Sequence, residues 1–123
     1  MGWAGFQELY RRKERFNIRL LARDSRKNRR KLGRYAADPS VEVIWGDLMR
    51  YEDVLRGVTG ADYVLHVGGM VSPAADYYPE KTLKVNVGSA ENVVKAVLAQ
   101  PDSSDIKVIY IGSVAQYGDR NPP

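Results

Sequence analysis

A serine at the end of an apolar segment is the first residue of this sequence that could do chemistry. Ser113 follows Val108 to Ile111, a run rich in β-branched residues that is typical of a buried parallel strand. Ligands of open α/β sheets bind just beyond the carboxyl ends of the strands, so a hydroxyl here could hydrogen-bond a reacting oxygen. A turn residue or a helix cap is the other interpretation of the same serine.

Polar residues and glycines also follow three earlier candidate strands. These are Arg23 after 17–22, Asp47 (followed by the apolar Leu48) after 41–45, and Gly68 and Gly69 after 62–67. Asp47 could instead cap the helix that follows it. The two glycines could simply turn the chain, although glycine also lets a ligand approach the backbone closely.

Helices must separate these strands if their ends are to meet at one edge. Apolar residues at helical spacing predict helices at 3–15, 26–37, 51–58 and 80–100. The predicted inner face of the last helix carries Val87, Ala90, Val94 and Val97. Strands that alternate with helices indicate a parallel sheet covered on both faces, and right-handed crossovers make it doubly wound. We therefore predict one α/β domain over residues 1–123.

Composition excludes several classes of protein. With 44% hydrophobic and 28% charged residues, the chain is globular rather than disordered. The absence of cysteine excludes disulfides and thiolate metal sites, and with a single histidine we predict no metal site. There is no apolar run of membrane-spanning length and no signal peptide, so we expect a cytoplasmic protein without a membrane partner.

Basic residues are concentrated near the start of the chain. Twelve of the nineteen lysines and arginines lie between Arg11 and Arg34. They could bind nucleic acid, a membrane surface or a phosphorylated small molecule, or form a solvated helix face with local acidic partners. Few aromatic residues interleave this run, so we expect no nucleic-acid partner.

The start of the chain lacks a familiar feature of doubly wound nucleotide-binding domains. Such domains begin with a strand and a glycine-rich turn, whereas here Gly2 stands where the last glycine of that turn would be. We expect a fragment that lacks the first strand and first glycines, and that also stops early, after Pro123. The missing strand would be central, so we expect either direct pairing of 17–22 with 62–67 or an open, aggregation-prone sheet.

Four motifs in order resemble the extended short-chain dehydrogenase/reductases, also called NAD-dependent epimerase/dehydratases. They are Gly46-Asp47-Leu48, Leu65-His66-Val67-Gly68-Gly69, Val85-Asn86-Val87-Gly88-Ser89 and Ser113-Val-Ala-Gln-Tyr-Gly118. The sequence departs from the family pattern at Gly69, Ser89 and Gly112. The resemblance implies an incomplete Rossmann-like doubly wound parallel sheet, with the substrate domain absent.

The resemblance also implies roles for individual residues. Gly2 would meet the pyrophosphate, Asp47 with Leu48 the adenine, and Val67, Gly68 and Gly69 would lie along the cofactor. Asn86 would brace the loop near the active site, unless it is merely a solvated residue. Ser113 would be the catalytic serine, which hydrogen-bonds and orients the substrate oxygen.

The implied reaction is hydride transfer between a nicotinamide and a C–OH/C=O substrate, with a nucleotide sugar as the default small molecule. The family's Tyr-x-x-x-Lys pair is not in this chain, since Tyr77 and Lys81 match its spacing only by coincidence, before the last strand and around Pro79. The proton-transfer tyrosine would lie beyond Pro123, so we expect this fragment to be inactive and its parent to be a homodimer. The alternative is a non-catalytic NADP-sensing regulatory protein of the same fold.

The roles of two further residues have more than one interpretation on sequence alone. Arg23, after the second strand of such a domain, would meet the adenosine ribose, where arginine suits NADP and an acid suits NAD. Arg26 and Lys27 favour NADP as the cofactor, whereas the neighbouring Asp24 is compatible with NAD. His66 ends an apolar strand, so we favour a packed or hydrogen-bonded core role over acid–base work.

Overall fold

Strands and helices alternate along the computed structural model, which describes residues 2–113 and residue 118. In chain order the elements are α1 (Gly2–Arg11), β1 (Ile18–Ala22), α2 (Arg26–Ala36), β2 (Val41–Trp45), α3 (Tyr51–Val58), β3 (Tyr63–His66), α4 (Ala74–Tyr77), α5 (Pro79–Leu98) and β4 (Lys107–Tyr110). The predicted α/β alternation is confirmed. None of the helices in the described residues is long and apolar enough to cross a membrane.

The strands of the described residues form two separate parallel pairs. β1 pairs with β2, with Ile18 opposite Val41, and β3 pairs with β4, with Tyr63 opposite Lys107. The predicted direct pairing of 17–22 with 62–67 is therefore wrong, and the sheet is split between β1 and β3. The two pairs are joined through side chains, because β1 and β3 each pack an apolar residue against the same helices.

Helices cover both faces of the β1–β2 pair. On one face a cluster joins α1 and α2 to the strands, through Phe6, Ile18, Leu32, Tyr35 and Val41. On the other face Leu21 packs against a second cluster, made of Val54, Val58, Val93, Ala96, Val97 and Ile106. Since successive side chains of a strand point to opposite faces, this division follows from the strand itself. The predicted doubly wound arrangement is present around these two strands.

The first helix is shorter than predicted. It ends at Arg11, and a single 3-10 turn at Lys13–Arg15 replaces the rest of the predicted 3–15 helix. Asp38 explains the position of this turn, since it accepts hydrogen bonds from Tyr10 Oη at 2.7 Å and Lys13 Nζ at 2.5 Å. Lys13, then Ser40 and Tyr10, hold the pKa of Asp38 well below its usual range. The network fastens the end of α1 to the turn before β2.

The buried face of α5 differs from the predicted one. Val87 and Val94 are 47% and 53% exposed, whereas the buried residues are Ser89, Val93, Ala96 and Val97. The predicted inner face is therefore wrong for Val87 and Val94, whereas Val97 is buried as predicted. Apolar residues lie on both faces of this helix, and packing against α3 selects one of them.

The last strand is correctly predicted in type and direction but not in burial. All four residues of β4 are exposed, including Val108 at 43% and Ile109 at 45%. Within the described residues β3 is its only strand neighbour, so the outer edge and much of the surface of β4 face solvent.

Candidate functional site

The candidate site lies where the parallel strands end. Arg23 follows β1 directly, Asp47 lies two residues after β2, Gly68 lies two residues after β3, and Ser113 lies three residues after β4. Parallel strands of one pair end at the same edge, which is where open α/β proteins bind ligands. The fold therefore places the candidate residues of each strand pair at its carboxyl edge.

The start of α1 reaches the same edge. A Cβ built on Gly2 would lie 3.1 Å from Val67 Cγ2, so the first residue of the helix packs against the end of β3. The first turn of α1 contains no acidic residue. Its unpaired N–H groups and the positive end of the helix dipole would favour an anion, such as a pyrophosphate.

An open groove of about 530 Å³ lies beyond the ends of β1 and β2. Its lining combines three arginines, three aspartates, one tryptophan and one glycine: Arg23, Asp24, Trp45, Gly46, Asp47, Arg50, Asp53 and Arg56. Arg23 and Asp47, both predicted cofactor residues, are exposed at this groove. The lining offers hydrogen-bond donors for a phosphate and acceptors for hydroxyl or amine groups.

Asp47 forms a turn and does not cap the next helix. Its Oδ1 accepts a hydrogen bond from Met49 N at 2.9 Å, and its own backbone N–H donates to Asp53 Oδ2 at 2.9 Å. The N-cap of α3 is Arg50, which makes no side-chain cap bond. The alternative of a helix-capping Asp47 is therefore wrong, and its carboxylate is held at the groove by the turn.

Asp53 is a buried acid that sequence reasoning missed. The backbone N–H of Asp47, followed by Arg56 Nη2 at 2.7 Å, lowers the pKa of Asp53, so the carboxylate stays ionised and fixes the loop after β2. A Cβ on Gly46 would lie 2.6 Å from Asp53 Cγ, which explains the glycine there. An acid in the first turn of a helix was the available signal, but such acids are usually exposed.

Leu48 and Gly68 contact each other across the two loops. A Cβ built on Gly68 would overlap Leu48 Cδ1, so glycine at 68 makes room for this side chain. The backbone oxygen of Leu48 also accepts a hydrogen bond from Asn92 Nδ2 of α5 at 2.9 Å. These contacts tie the loop after β2 to the loop after β3 and to the long helix.

Asn86 braces the loop after β3. Its Oδ1 accepts from Met70 N at 2.7 Å, and its Nδ2 donates to Met70 O at 3.0 Å. A Cβ on Gly69 would lie 3.0 Å from the same Oδ1, so only glycine leaves the amide undisturbed. Asn86 is thus a bridging residue and not merely a solvated one.

His66 is packed inside the structure. It is 5% exposed, its Nε2 lies 3.4 Å from Ser89 Oγ, and its ring stacks on Tyr110 with centroids 5.6 Å apart. Burial lowers the pKa of His66, which keeps the imidazole neutral at pH 7. The predicted core role matches this environment.

Ser113 lies exposed after β4, while residues 114–117 of its motif fall outside the described residues. Tyr77 ends α4 and Lys81 belongs to α5, with Tyr78 between the two helices. The two residues therefore do not share a helix, and Tyr77 is 78% exposed.

Known proteins share this architecture and sequence. The solved structure of Pen from Bacillus thuringiensis matches with a TM-score of 0.69 and 28% identity, over 81% of this chain and 30% of that one. The UDP-glucose 4-epimerase from Bifidobacterium longum, in complex with NAD+ and UDP, matches with a TM-score of 0.66 and 17% identity, over 86% of this chain and 32% of that one. These matches confirm the predicted fold class, an incomplete Rossmann-like sheet.

Sequence relatives lead to the same family. The UDP-glucose 4-epimerase of Rickettsia canadensis is 30% identical over 82 residues, and that of Rickettsia typhi is 31% identical over 83. Each alignment covers 66% of this chain and 24% of the relative, so the chain matches about a quarter of these relatives' length. The NAD dependent epimerase/dehydratase family matches over residues 2–123. The chain therefore belongs to the NAD dependent epimerase/dehydratase family.

Proposed function

We propose that this chain is the cofactor-binding part of an NAD(P)-dependent epimerase/dehydratase or reductase. The observation that carries the proposal is the gathering of candidate residues at the carboxyl ends of the strands, beside the start of α1. A nicotinamide cofactor agrees with the family's NAD dependence and with the NAD+ in the Bifidobacterium longum structure.

The residues present fit a dinucleotide. The first turn of α1, beginning at Gly2, carries N–H groups for the pyrophosphate and no opposing acid. Asp47, with Leu48 beside it, offers an acceptor for the adenine amine at the groove. The exposed segment from Val67 to Gly69 would lie along the cofactor, and the bonds of Asn86 to Met70 would keep that segment in place.

NADP is the proposed form of the cofactor. Arg23 is exposed in the groove directly after β1, and Arg26 and Lys27 are exposed in the first turn of α2. Guanidinium groups bind phosphate through paired N–H donors, so this corner suits a ribose phosphate better than ribose hydroxyls alone.

The bound nicotinamide would supply the site that accepts and returns a hydride. We assign Ser113 as the catalytic residue that donates a hydrogen bond to the substrate oxygen and orients its C–OH/C=O group. A nucleotide sugar is the proposed substrate, supported by the names of the Rickettsia relatives. The homodimer, the cytoplasmic location and the lack of a nucleic-acid partner stay predictions.

Cofactor binding tests the proposal directly. The full chain is titrated with NADP+ and with NAD+, and binding is followed by calorimetry and by the fluorescence of Trp45, which lines the groove. We expect saturable binding of both, with NADP+ tighter. Asp47→Ala should weaken both by roughly tenfold, as loss of a hydrogen bond to a charged acceptor would.

Asp102→Ala is the matched control, because it removes an exposed carboxylate from the turn before β4. This variant should bind both cofactors as the unchanged chain does. Absence of saturable binding, or equal effects of the two aspartate substitutions, would overturn the proposed function.

A further inference from the structure

We propose that Arg29 sets the preference for NADP by forming an ion pair with Asp24, an inference that rests on the proposed function. Asp24 follows Arg23 and lines the same groove, so it is the acid that could accept the ribose hydroxyls of NAD. Arg29 holds it in a bidentate pair, with Nε 2.5 Å from Oδ1 and Nη2 2.8 Å from Oδ2. Both oxygens of the carboxylate are therefore engaged.

Arg29 also contacts an aromatic ring. Its guanidinium carbon lies 4.8 Å from the centre of the Trp45 ring, and Trp45 is itself a wall of the groove. A guanidinium stacked on an indole loses less freedom when it also forms a bidentate pair. The indole thus orients the cation toward the carboxylate.

The start of α2 holds the two partners at this distance. Ser25 caps the helix, with its Oγ accepting from Asn28 N at 3.2 Å, and Asn28 Nδ2 donates to Arg23 O at 2.8 Å. These bonds fix the segment 23–25 against the first turn of α2. The geometry of the pair therefore does not depend on a loop of variable shape.

The pair changes what the groove offers a ligand. A free carboxylate would accept ribose hydroxyls and would repel a ribose phosphate, whereas the paired carboxylate has its charge cancelled. The hydrogen bonds from Arg29 also lower the pKa of Asp24, so its carboxylate is ionised at neutral pH. Among the described residues no ion pair engages Arg23, which leaves its guanidinium available to the phosphate.

Arg29→Gln tests the inference by releasing Asp24. We expect the ratio of the NAD+ to the NADP+ dissociation constant to fall by roughly fivefold, mainly through weaker NADP+ binding, because an exposed charge acts across water. The change should shrink as salt is raised. Asp24→Asn alone should not lower the ratio, because it leaves the cation of Arg29 without its carboxylate rather than a carboxylate without its cation.

Arg30→Gln is the control, since Arg30 is exposed on the same helix and its loss removes the same charge. It should leave the ratio within about twofold of the unchanged chain, because the ion pair of Asp24 is made by Arg29 and stays intact. The double variant Asp24→Asn/Arg29→Gln should restore most of the ratio, because no carboxylate remains to be released.

The outcomes separate the two proposals. The role of Arg29 would be overturned if Arg29→Gln and Arg30→Gln changed the ratio of dissociation constants equally, or if the double variant kept the full change in that ratio. The proposed function would still stand in either case. If the unchanged chain binds neither cofactor, the proposed function fails and this inference fails with it.

Discussion

Replacing Asn86 with alanine should open the loop after β3 without unfolding the domain. The substitution removes both hydrogen bonds to Met70, at 2.7 and 3.0 Å, and leaves the backbone N–H and C=O of that residue without their partner. The asparagine is partly buried, so water replaces it incompletely. The loop that carries Gly68 and Gly69 would then lose its attachment to α5.

The magnitude follows from the two bonds. Each contributes about 1 kcal/mol, so the free energy of opening this loop should fall by about 2 kcal/mol. That corresponds to roughly thirty times faster amide hydrogen exchange at Met70. The free energy of global unfolding should fall by less, since loops open locally before a domain unfolds.

Hydrogen exchange read by NMR, together with urea unfolding, measures both quantities. The amide of Val41, which donates to Asp38 O in the cluster around α1 and α2, should keep its exchange rate. Asn92→Ala, which removes one bond to Leu48 O, should accelerate Met70 exchange far less. Unchanged exchange at Met70 in Asn86→Ala, or an equal increase at Val41, would refute a local brace.

Two other predictions concern packing and pH. Gly68→Ala should lower the free energy of unfolding by about 1–3 kcal/mol, because its Cβ overlaps Leu48 Cδ1, and the cost should shrink in a Leu48→Ala background. Urea unfolding measures it, and an equal cost for Gly112→Ala, where a Cβ meets nothing within 4 Å, would contradict the packing argument. His66, the single histidine, should titrate below 6.5 in the folded chain, because burial disfavours its charged form. The unfolded chain then takes up the proton first, so stability is full above about pH 6.5 and falls as pH decreases below it. Proton NMR of the imidazole, with and without urea, checks this, and identical pKa values in both states would disprove it.

Local patterns were sufficient for the order of elements and for several of their ends. Ser25 caps α2, and Gly60, with a φ of +69°, follows the end of α3. These features depend on the backbone preferences of one or two residues, which a sequence displays directly. The residues that follow each strand were located for the same reason.

Patterns were insufficient where two apolar faces compete. The sequence of α5 allows either Val94 or Val93 to face the core, and only packing against Val54 and Val58 of α3 decides between them. The exposure of β4 likewise depends on which elements pack beside it. The sequence of an apolar strand does not show which elements those are.

The sequence by itself determined that glycines and polar residues end the strands of an α/β domain, and that their motifs are those of an NAD(P)-binding family. Only the tertiary structure decided how these residues are held. Asp24 forms an ion pair with Arg29, the backbone N–H of Asp47 donates a hydrogen bond to the buried Asp53, and Asn86 accepts one from the backbone N–H of Met70. Such bonds join groups that the folded backbone brings within 3 Å, and hydrogen bonds and charge pairs depend on that distance rather than on spacing along the chain.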